Sequence, residues 1–246
     1  MISCFLNGGL GNMLFQIATT YAIAKDNNDD CIFDFEYHSN MPRQQSRPAN
    51  IYKNNIFKRL KQGVSENKKS FQEKDFFYQN IDYQPNLYLK GYFQTEKYFK
   101  HRRKEILDLF DVEFKEECDL SEYTSMHIRR GDYLKIANHP VLNVEYYQKA
   151  IELSNAKKIV IFSDDIAWCQ SIFKGSNFLF MDDDDYKELY FMSLCKNNII
   201  ANSSFSWWGA WLNKNEDKQV YAPKQWFSPS LKHDTKDLYC DGWFII

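Results

Sequence analysis

The chain has 246 residues, of which 44% are hydrophobic, 17% aromatic and 26% charged, and its 31 Lys and Arg residues nearly balance 33 Asp and Glu residues. The formal net charge of −2 excludes a protein that is drawn to nucleic acid or to an anionic membrane by its overall charge. The high aromatic content excludes a disordered chain, and the length suffices for one large hydrophobic core or two small ones.

The amino terminus predicts no targeting segment. The first residues carry no basic cluster, and the apolar run that starts at Ile2 ends at Leu6, which is too short for a signal peptide. No window approaches the roughly 18 apolar residues that span a bilayer. The six cysteines are scattered without a Cys-x-x-Cys pair, which favours reduced thiols. We therefore expect a cytoplasmic protein with at most peripheral membrane contact.

The first part of the chain has the pattern of a βαβ unit. Residues 2–6 predict a buried strand, the apolar spacing over 13–25 predicts a helix, and residues 31–35 predict a second strand. A polar stretch over 38–63 predicts a long surface loop with one short helix near 56–60.

A strand over 87–93 and a helix over 96–110 follow, and residues 113–119 have the composition of a linker. We therefore predict an N-terminal α/β domain over residues 1–115 and a second domain over 116–246.

The second domain alternates strands with helices. Strands are predicted at 125–129, 158–163, 178–181, 198–201 and 219–222, and helices at 144–153, 186–195 and 205–212. This alternation is typical of a parallel sheet that is covered by helices on both faces. In such sheets, ligands bind beyond the carboxyl ends of the strands, so the polar residues at those ends are the candidate site.

The glycine loop after the first strand is one candidate. Its residues Gly8, Gly9 and Gly11 permit close backbone approach, and the helix that begins near Asn12 offers free N–H groups to an anion. The spacing is neither the dinucleotide fingerprint nor the P-loop. A tight turn without a ligand remains an alternative.

The segment that follows strand 125–129 is a second candidate. Arg129 and Arg130 stand together at the end of a buried strand, where a guanidinium is costly unless it meets an anion. Phosphate is a natural counterpart, because the arginine fork binds two of its oxygens. In the alternative reading, the arginines pair internally with carboxylates such as Asp132.

Two further strand ends carry polar side chains. Asp164 and Asp165 follow strand 158–163, where they predict contacts to a nucleoside, although capping of the next helix by Asp164 would also explain them. The turn after strand 198–201 predicts a cradle for phosphate, formed by Asn202, Ser203, Ser204 and Ser206. The neighbouring Trp207, Trp208 and Trp211 are expected to pack between helix and sheet. The acidic run 182–185 and the scattered histidines predict no metal site.

Taken in order, four motifs resemble those of the family 11 glycosyltransferases, which are α-1,2-fucosyltransferases. The motifs are Gly8-Gly9-Leu10-Gly11-Asn12-Met13-Leu14-Phe15-Gln16, His127-Ile128-Arg129-Arg130-Gly131-Asp132-Tyr133, Phe162-Ser163-Asp164-Asp165 and residues 201–212. The family's usual Gln after the loop asparagine is Met13 here, and the first half is shorter than expected around residues 37–74.

This resemblance implies an α/β fold of the GT-B type, with two Rossmann-like domains facing across a cleft. It implies an inverting transfer of L-fucose from GDP-fucose to the 2-hydroxyl of a galactose-terminated glycan, without a metal or a cofactor. Arg129 would contact the β-phosphate, His127, Asp164 and Asp165 would lie near the nucleoside, and residues 202–206 would lie near the pyrophosphate. The loop of Gly9, Gly11 and Asn12 would face donor and acceptor.

The mechanism that this implies depends on charge stabilisation by Arg129, with Asn12 orienting the acceptor hydroxyl and Asp132 as the candidate base. An Arg129 side chain turned inward onto a carboxylate, with no open cleft, would contradict it. Three alternatives remain: a GDP-sugar transferase with another linkage or acceptor, a non-catalytic nucleotide-sugar-binding module, and a nicotinamide oxidoreductase, which lacks its glycine fingerprint here.

Overall fold

The computed structural model describes residues 1–37, 47–66, 69–112 and 118–246. The chain forms two compact units: the first contains Met1–Glu113 and the segment Asp234–Cys240, and the second contains Phe114–His233 and Asp241–Ile246. The predicted boundary between residues 115 and 116 and most of the predicted linker lie outside the described residues, so that boundary stays a prediction. The start of the predicted loop at 38–46 also lies outside them.

The segment near the carboxyl terminus is held in the first unit by long-range hydrogen bonds. The Asp75 carboxylate accepts from the backbone N–H of Asp234 at 3.0 Å, and the Asp237 carboxylate accepts from the N–H of Tyr78 at 2.9 Å. The sequence placed this segment in the second domain, because contacts with residues so far away along the chain leave no local pattern in the sequence.

The first unit is a small parallel α/β structure. Its elements are β1 (Ser3–Cys4), α1 (Leu10–Asp26), β2 (Lys69–Gln72), β3 (Leu87–Lys90) and α2 (Arg103–Leu109). The three strands pair in the order β1-β3-β2, and all pairs are parallel. Strand β2 was not predicted, because it is polar and largely exposed and so lacks an apolar pattern.

Three predictions for the first unit need correction. The predicted strand 31–35 is present only as single bridges at Cys31 and Phe33. The helix predicted near 56–60 is a run of turns, which follows the 3-10 helix Ala49–Tyr52. The helix predicted from 96 begins as 3-10 turns and becomes α2 only at Arg103, because the backbone leaves helical angles at Phe99, where the buried ring packs on Phe15.

The second unit contains a six-stranded parallel sheet. Its elements are β4 (Thr124–Ile128), α3 (Val144–Ser154), β5 (Ile159–Ser163), α4 (Ile166–Ile172), β6 (Phe178–Met181), α5 (Asp185–Leu194), β7 (Asn197–Ile199), α6 (Ser204–Leu212), β8 (Val220–Ala222) and β9 (Phe244–Ile245). The strand order is β6-β5-β4-β7-β8-β9, with every pair parallel. The strands predicted for this unit are confirmed to within about two residues; only the two-residue β9 was missed.

Both faces of this sheet are buried. Along β5, Ile159 and Ile161 pack into one hydrophobic cluster, whereas Val160 and Phe162 pack into another on the opposite face. Successive side chains of a strand point to opposite faces, so a strand covered on both sides is continuously apolar rather than alternating. This is why the pattern of the second unit was readable from the sequence.

The tryptophans of α6 are core residues, as predicted. Trp207 and Trp208 are fully buried, and Trp211 is 3% exposed. At Gly209, an added Cβ would lie 2.8 Å from the side chain of Met192, so the glycine allows α6 to lie close against α5. The helix is therefore held in place by buried packing, and its first turn lies beyond the carboxyl end of β7.

The two glycines before α1 make different demands on the chain. Gly8 has φ +87°, and an added Cβ would lie 2.4 Å from Asn12 Nδ2, whereas Gly9 has φ −86° and no atom within 4 Å of an added Cβ. We expect Gly8→Ala to lower the free energy of unfolding by about 1–2 kcal/mol and Gly9→Ala to change it by less than about 0.5 kcal/mol. Urea titration of both variants measures this. Equal costs would contradict the assigned backbone geometry.

Candidate active site

The order of strands in the second unit defines where a ligand site can form. Strand β4 is central, with β5 on one side and β7 on the other. From β4 the chain continues to β5 on one side, whereas from β7 it continues to β8 on the other, so these two connections run in opposite directions. Such a switch point opens a crevice at the carboxyl ends of the strands. There, the Tyr133 hydroxyl donates to the Asn202 carbonyl at 3.1 Å. The structure therefore brings together two segments that the sequence singled out separately.

Arg129 follows β4 directly and is paired with carboxylates. Its Nη2 lies 2.6 Å from Asp132 Oδ1 and its Nη1 lies 3.0 Å from Asp164 Oδ2, while the guanidinium carbon is 5.3 Å from the centroid of the Tyr133 ring. The internal pairing that the sequence left open is thus present, and it meets the first part of the condition stated against the mechanism, an Arg129 side chain turned onto a carboxylate. A guanidinium has five N–H donors, and the side chain keeps 29% of its surface accessible, so donors remain for a further anion.

Arg130 is packed more tightly than Arg129. Its Nε lies 3.0 Å from Asp165 Oδ2, and its guanidinium lies 3.8 Å from the ring centroid of Trp168. Its side chain is 17% exposed. Arg130 thus fastens the β4 turn to helix α4, and the two arginines have different surroundings.

The residue that caps α4 is Asp165, so the expected cap at Asp164 was wrong. Asp165 Oδ1 accepts from the backbone N–H of Trp168 at 3.2 Å. Asp164 instead accepts from the N–H of Arg130 at 2.8 Å. At Gly131 an added Cβ would lie 2.4 Å from Asp164 Oδ2, so only glycine fits beside this carboxylate.

His127 lies inside β4 and is 4% exposed, with its ring 5.4 Å from that of Phe205. Burial, helped by the charge of Arg129, lowers the pKa of His127 to about 3. The imidazole is therefore neutral at pH 7, and its buried Nδ1 has no hydrogen-bond partner among the described residues.

The turn between β7 and α6 uses its side chains mainly on its own backbone. The Asn202 amide donates to the carbonyls of Pro140 at 2.9 Å and Trp226 at 3.1 Å. Ser203 caps α6, and the Ser206 hydroxyl bonds within the same turn. Asn202 and Ser206 are each 1% exposed, so the Asn202 amide nitrogen and the Ser206 hydroxyl are occupied internally, whereas Asn202 Oδ1 is buried without a hydrogen-bond partner among the described residues.

The structure therefore leaves less for a ligand at this turn than the sequence predicted. Ser204 is partly exposed, and the first-turn N–H groups of α6 carry the positive end of the helix dipole. These groups, rather than the amide of Asn202, are what the turn can offer to an anion.

In the first unit, the loop after β1 is connected to the end of β3. Gly9 is the N-cap of α1, and among the residues that the structure describes no side chain caps this helix. Asn12 Oδ1 accepts from the Gln94 amide at 2.9 Å, and Gln94 is 6% exposed. This bond leaves the Asn12 amide nitrogen, which lies beside Gly8, as the group that the side chain presents.

A buried carboxylate organises the turn that carries Gln94. Glu73 Oε2 accepts from the N–H of Tyr92 at 2.7 Å and from the N–H of Phe93 at 2.8 Å. Burial raises the pKa of Glu73 to about 7 despite these two bonds, and the charge of Asp75 adds to the shift.

Sequence reasoning missed both Gln94 and Glu73. Gln94 could have been predicted, because it follows a predicted strand and polar residues at strand ends were taken as candidates for the site. Glu73 follows β2, which gave no signal.

Among the residues that the structure describes, no group of three or more His, Cys, Asp or Glu is arranged to hold a metal ion. In the same part of the chain, every helix is too short or too polar to cross a membrane.

Comparison with known proteins decides the family. A family model for glycosyl transferase family 11 matches residues 6–246. The chain belongs to glycosyl transferase family 11. The family resemblance predicted from the four motifs is thereby confirmed.

Curated relatives of this family 11 member include two proteins of Escherichia coli. The O-antigen biosynthesis glycosyltransferase WbnK is 30% identical, with 99% of each chain covered. An alpha-1,2-colitosyltransferase is 30% identical, over 90% of this chain and 91% of that protein. The galactoside 2-alpha-L-fucosyltransferase Sec1 of Mus musculus is 23% identical, over 86% of this chain and 64% of the mouse protein.

Two solved structures share the fold. The fucosyltransferase NodZ from Bradyrhizobium has a TM-score of 0.50 at 11% identity, covering 85% of this chain and 92% of that one. NodZ alpha-1,6-fucosyltransferase co-crystallised with GDP has a TM-score of 0.51 at 10% identity, covering 85% and 91%. The likeness, together with the two parallel sheets, confirms the predicted α/β fold of the GT-B type.

The buried carboxyl of Glu73 predicts a pH-dependent stability. Its pKa is about 7 in the folded protein against an ordinary value of 4.5, so the folded state keeps a proton that the unfolded state has released between these values. Stability due to this group therefore falls as the pH rises from about 4.5 to about 7 and is constant above.

In Glu73→Gln the amide oxygen still accepts both N–H groups but does not titrate. Between pH 5 and 8 we expect the wild type to lose on the order of 2 kcal/mol of unfolding free energy relative to this variant, measured by urea titration. The exposed Glu152→Gln is the control, and its curve should run parallel to that of the wild type. A parallel curve for Glu73→Gln would show that Glu73 titrates normally.

Proposed function

We propose that this family 11 member is a galactoside α-1,2-fucosyltransferase, which moves L-fucose from GDP-fucose to the 2-hydroxyl of a terminal β-galactoside and inverts the anomeric configuration. The observation that carries the proposal is the position of Arg129, which follows the central strand at the switch point and is oriented by Asp132, Asp164 and Tyr133. The α-1,2 linkage in the name of the E. coli colitosyltransferase and the 2-position in the name of the mouse fucosyltransferase support it.

In the second unit, the task is to hold the diphosphate and to stabilise the charge that grows on departing GDP. Fucosyl transfer passes through an oxocarbenium-like state, in which the leaving group becomes more negative. The remaining N–H donors of Arg129 and the first turn of α6, beginning at Ser204, provide fixed positive charge for it. We expect no metal and no cofactor besides the donor.

His127, Asp164 and Asp165 remain the proposed neighbours of the nucleoside. The neutral imidazole of His127 offers hydrogen bonding rather than charge. Asp164 and Asp165 each hold an arginine as well, which fixes their orientation before a ligand arrives. The proposed contacts of Asn202, Ser203 and Ser206 become indirect, since their side chains bind the surrounding backbone.

In the first unit, the loop of Gly9, Gly11 and Asn12 is proposed to meet the acceptor and the fucosyl group. The Gln94 amide occupies Asn12 Oδ1, so the side chain of Asn12 presents an N–H donor. A donor orients the acceptor oxygen but takes no proton. Asp132, whose side chain is 51% exposed, is the proposed base.

A second donor is favoured by one comparison. The E. coli alpha-1,2-colitosyltransferase is 30% identical to this chain, whereas the mouse fucosyltransferase is 23% identical. Colitose is fucose without its 3-hydroxyl, so the two donors differ at a single position of the sugar. Transfer of colitose with the same linkage is therefore the alternative to transfer of fucose.

A donor panel distinguishes these activities. Purified protein is incubated with GDP-fucose, GDP-colitose or GDP-mannose, with and without lactose or N-acetyllactosamine, and GDP release is followed before linkage analysis of the product. We expect acceptor-dependent release from GDP-fucose and an α-1,2 product. Release from GDP-colitose alone would establish the alternative. Binding of GDP without transfer to any acceptor would indicate a non-catalytic module.

Arg129→Ala should lower kcat/KM by a factor of about 100–1000, because it removes preorganised positive charge at the leaving group. Arg102→Ala is the matched control, since Arg102 also bridges two carboxylates, those of Asp26 and Glu105, but meets α1 at its last residue, Asp26, at the opposite end from the glycine loop. Both variants should keep a wild-type melting temperature within a few degrees. Wild-type turnover in Arg129→Ala would refute the assignment.

A further inference from the structure

Tyr133 contacts both sides of the switch point. Its hydroxyl donates to the carbonyl of Asn202, which follows β7, and its ring lies under the guanidinium of Arg129, which follows β4. The ring also stacks on that of His139, with centroids 4.7 Å apart and planes inclined by 13°. A cation over an aromatic face within about 6 Å is attracted to it, so the position of the ring influences that of Arg129.

Asn202 ties together the segments that support this stack. Its amide donates to the carbonyl of Pro140, next to His139, and to the carbonyl of Trp226. The residue after Trp226 is Phe227, whose ring lies 5.3 Å from that of His139.

These contacts connect Asn202, Tyr133 and the segment that carries His139 to one another. The carbonyl of Asn202 accepts from the Tyr133 hydroxyl, and its side chain holds the segments that carry His139, which packs on Tyr133, and Phe227, which packs on His139. Asn202 is 1% exposed; its bond to Trp226 is buried and the other two are partly buried, so all three are costly to leave unmade. Arg129 is linked to these contacts through the Tyr133 ring.

We propose that Tyr133 and Asn202 are positioning residues, which hold the Arg129 guanidinium where the diphosphate of the donor binds. This rests on the proposed function, in which Arg129 meets GDP. It assigns to Asn202 an indirect role through Tyr133 in place of direct contact with the pyrophosphate. A purely structural role would lower stability without changing affinity for the nucleotide.

The chain offers a matched control for the Tyr133 hydroxyl. Tyr146 OH donates to the carbonyl of Ile200 at 2.6 Å, two residues before Asn202 in the same connection between β7 and α6, and also lies 3.2 Å from the carbonyl of Tyr221. Tyr133→Phe and Tyr146→Phe therefore each remove one hydroxyl bond to this segment, but only Tyr133 contacts Arg129.

The experiment measures GDP affinity by calorimetry, and kcat and KM for GDP-fucose, in the wild type, Tyr133→Phe and Tyr146→Phe. We expect the Kd for GDP to rise about tenfold in Tyr133→Phe and to stay within twofold in Tyr146→Phe, with melting temperatures lowered by similar amounts. Asn202→Ala, which keeps the carbonyl but removes the amide, should raise the Kd as Tyr133→Phe does. It is measured at a temperature at which circular dichroism shows it folded.

The outcomes separate the two proposals. A wild type that does not bind GDP refutes the proposed function. A wild type that binds GDP, together with unchanged affinity in Tyr133→Phe or Asn202→Ala, overturns the positioning role and leaves the proposed function standing. An equal loss of affinity in Tyr146→Phe also overturns it, because the effect then comes from the connection as a whole.

Discussion

The ion pairs of Arg129 with Asp132 and Asp164 are the constraint on which the second unit's site depends. A guanidinium at the end of a buried strand is unfavourable alone, and the two carboxylates supply its counter-charge from its own turn and from the end of β5. Internal pairing and ligand binding were alternatives in the sequence, but they are compatible. Pairing orders the guanidinium, and the donors that the pairs do not use remain available to a ligand.

Several side chains that were expected to contact a ligand form hydrogen bonds within the protein instead. A turn between a parallel strand and a helix exposes backbone groups that need partners, and short polar side chains are the nearest ones. Ser203 and Ser206 satisfy that need within their own turn, and Asn202 satisfies it in two other segments. These polar side chains therefore lie near the site because they hold its backbone in place. The backbone N–H groups, rather than the side chains, are what can face the anion.

The second unit was predictable because its strands are buried on both faces, which leaves continuous apolar runs at 159–163 and elsewhere. The first unit was less so: β2 is polar, and Glu73 after it bonds to residues that follow another strand. The choice between Asp164 and Asp165 as helix cap was beyond local pattern, since it depends on the N–H of Arg130 from the neighbouring strand. Local periodicity encodes burial, whereas these features are set by contacts between distant segments.

The charges of the site limit how a nucleotide can bind. Arg129 and Arg130 face three carboxylates, so the cluster holds an excess of negative charge before any diphosphate arrives. Asp165 caps α4 and Asp164 accepts a backbone N–H, whereas Asp132 is half exposed and pairs with Arg129 only three residues away. Exposed pairs are weak, so the pair with Arg129 restrains Asp132 less than the bonds to backbone N–H groups restrain Asp164 and Asp165. In the proposed reaction the diphosphate therefore binds the donors of Arg129 that the ion pairs leave unused, and Asp132, at 51% the most exposed of the three carboxylates, is the one accessible to the proton of the acceptor.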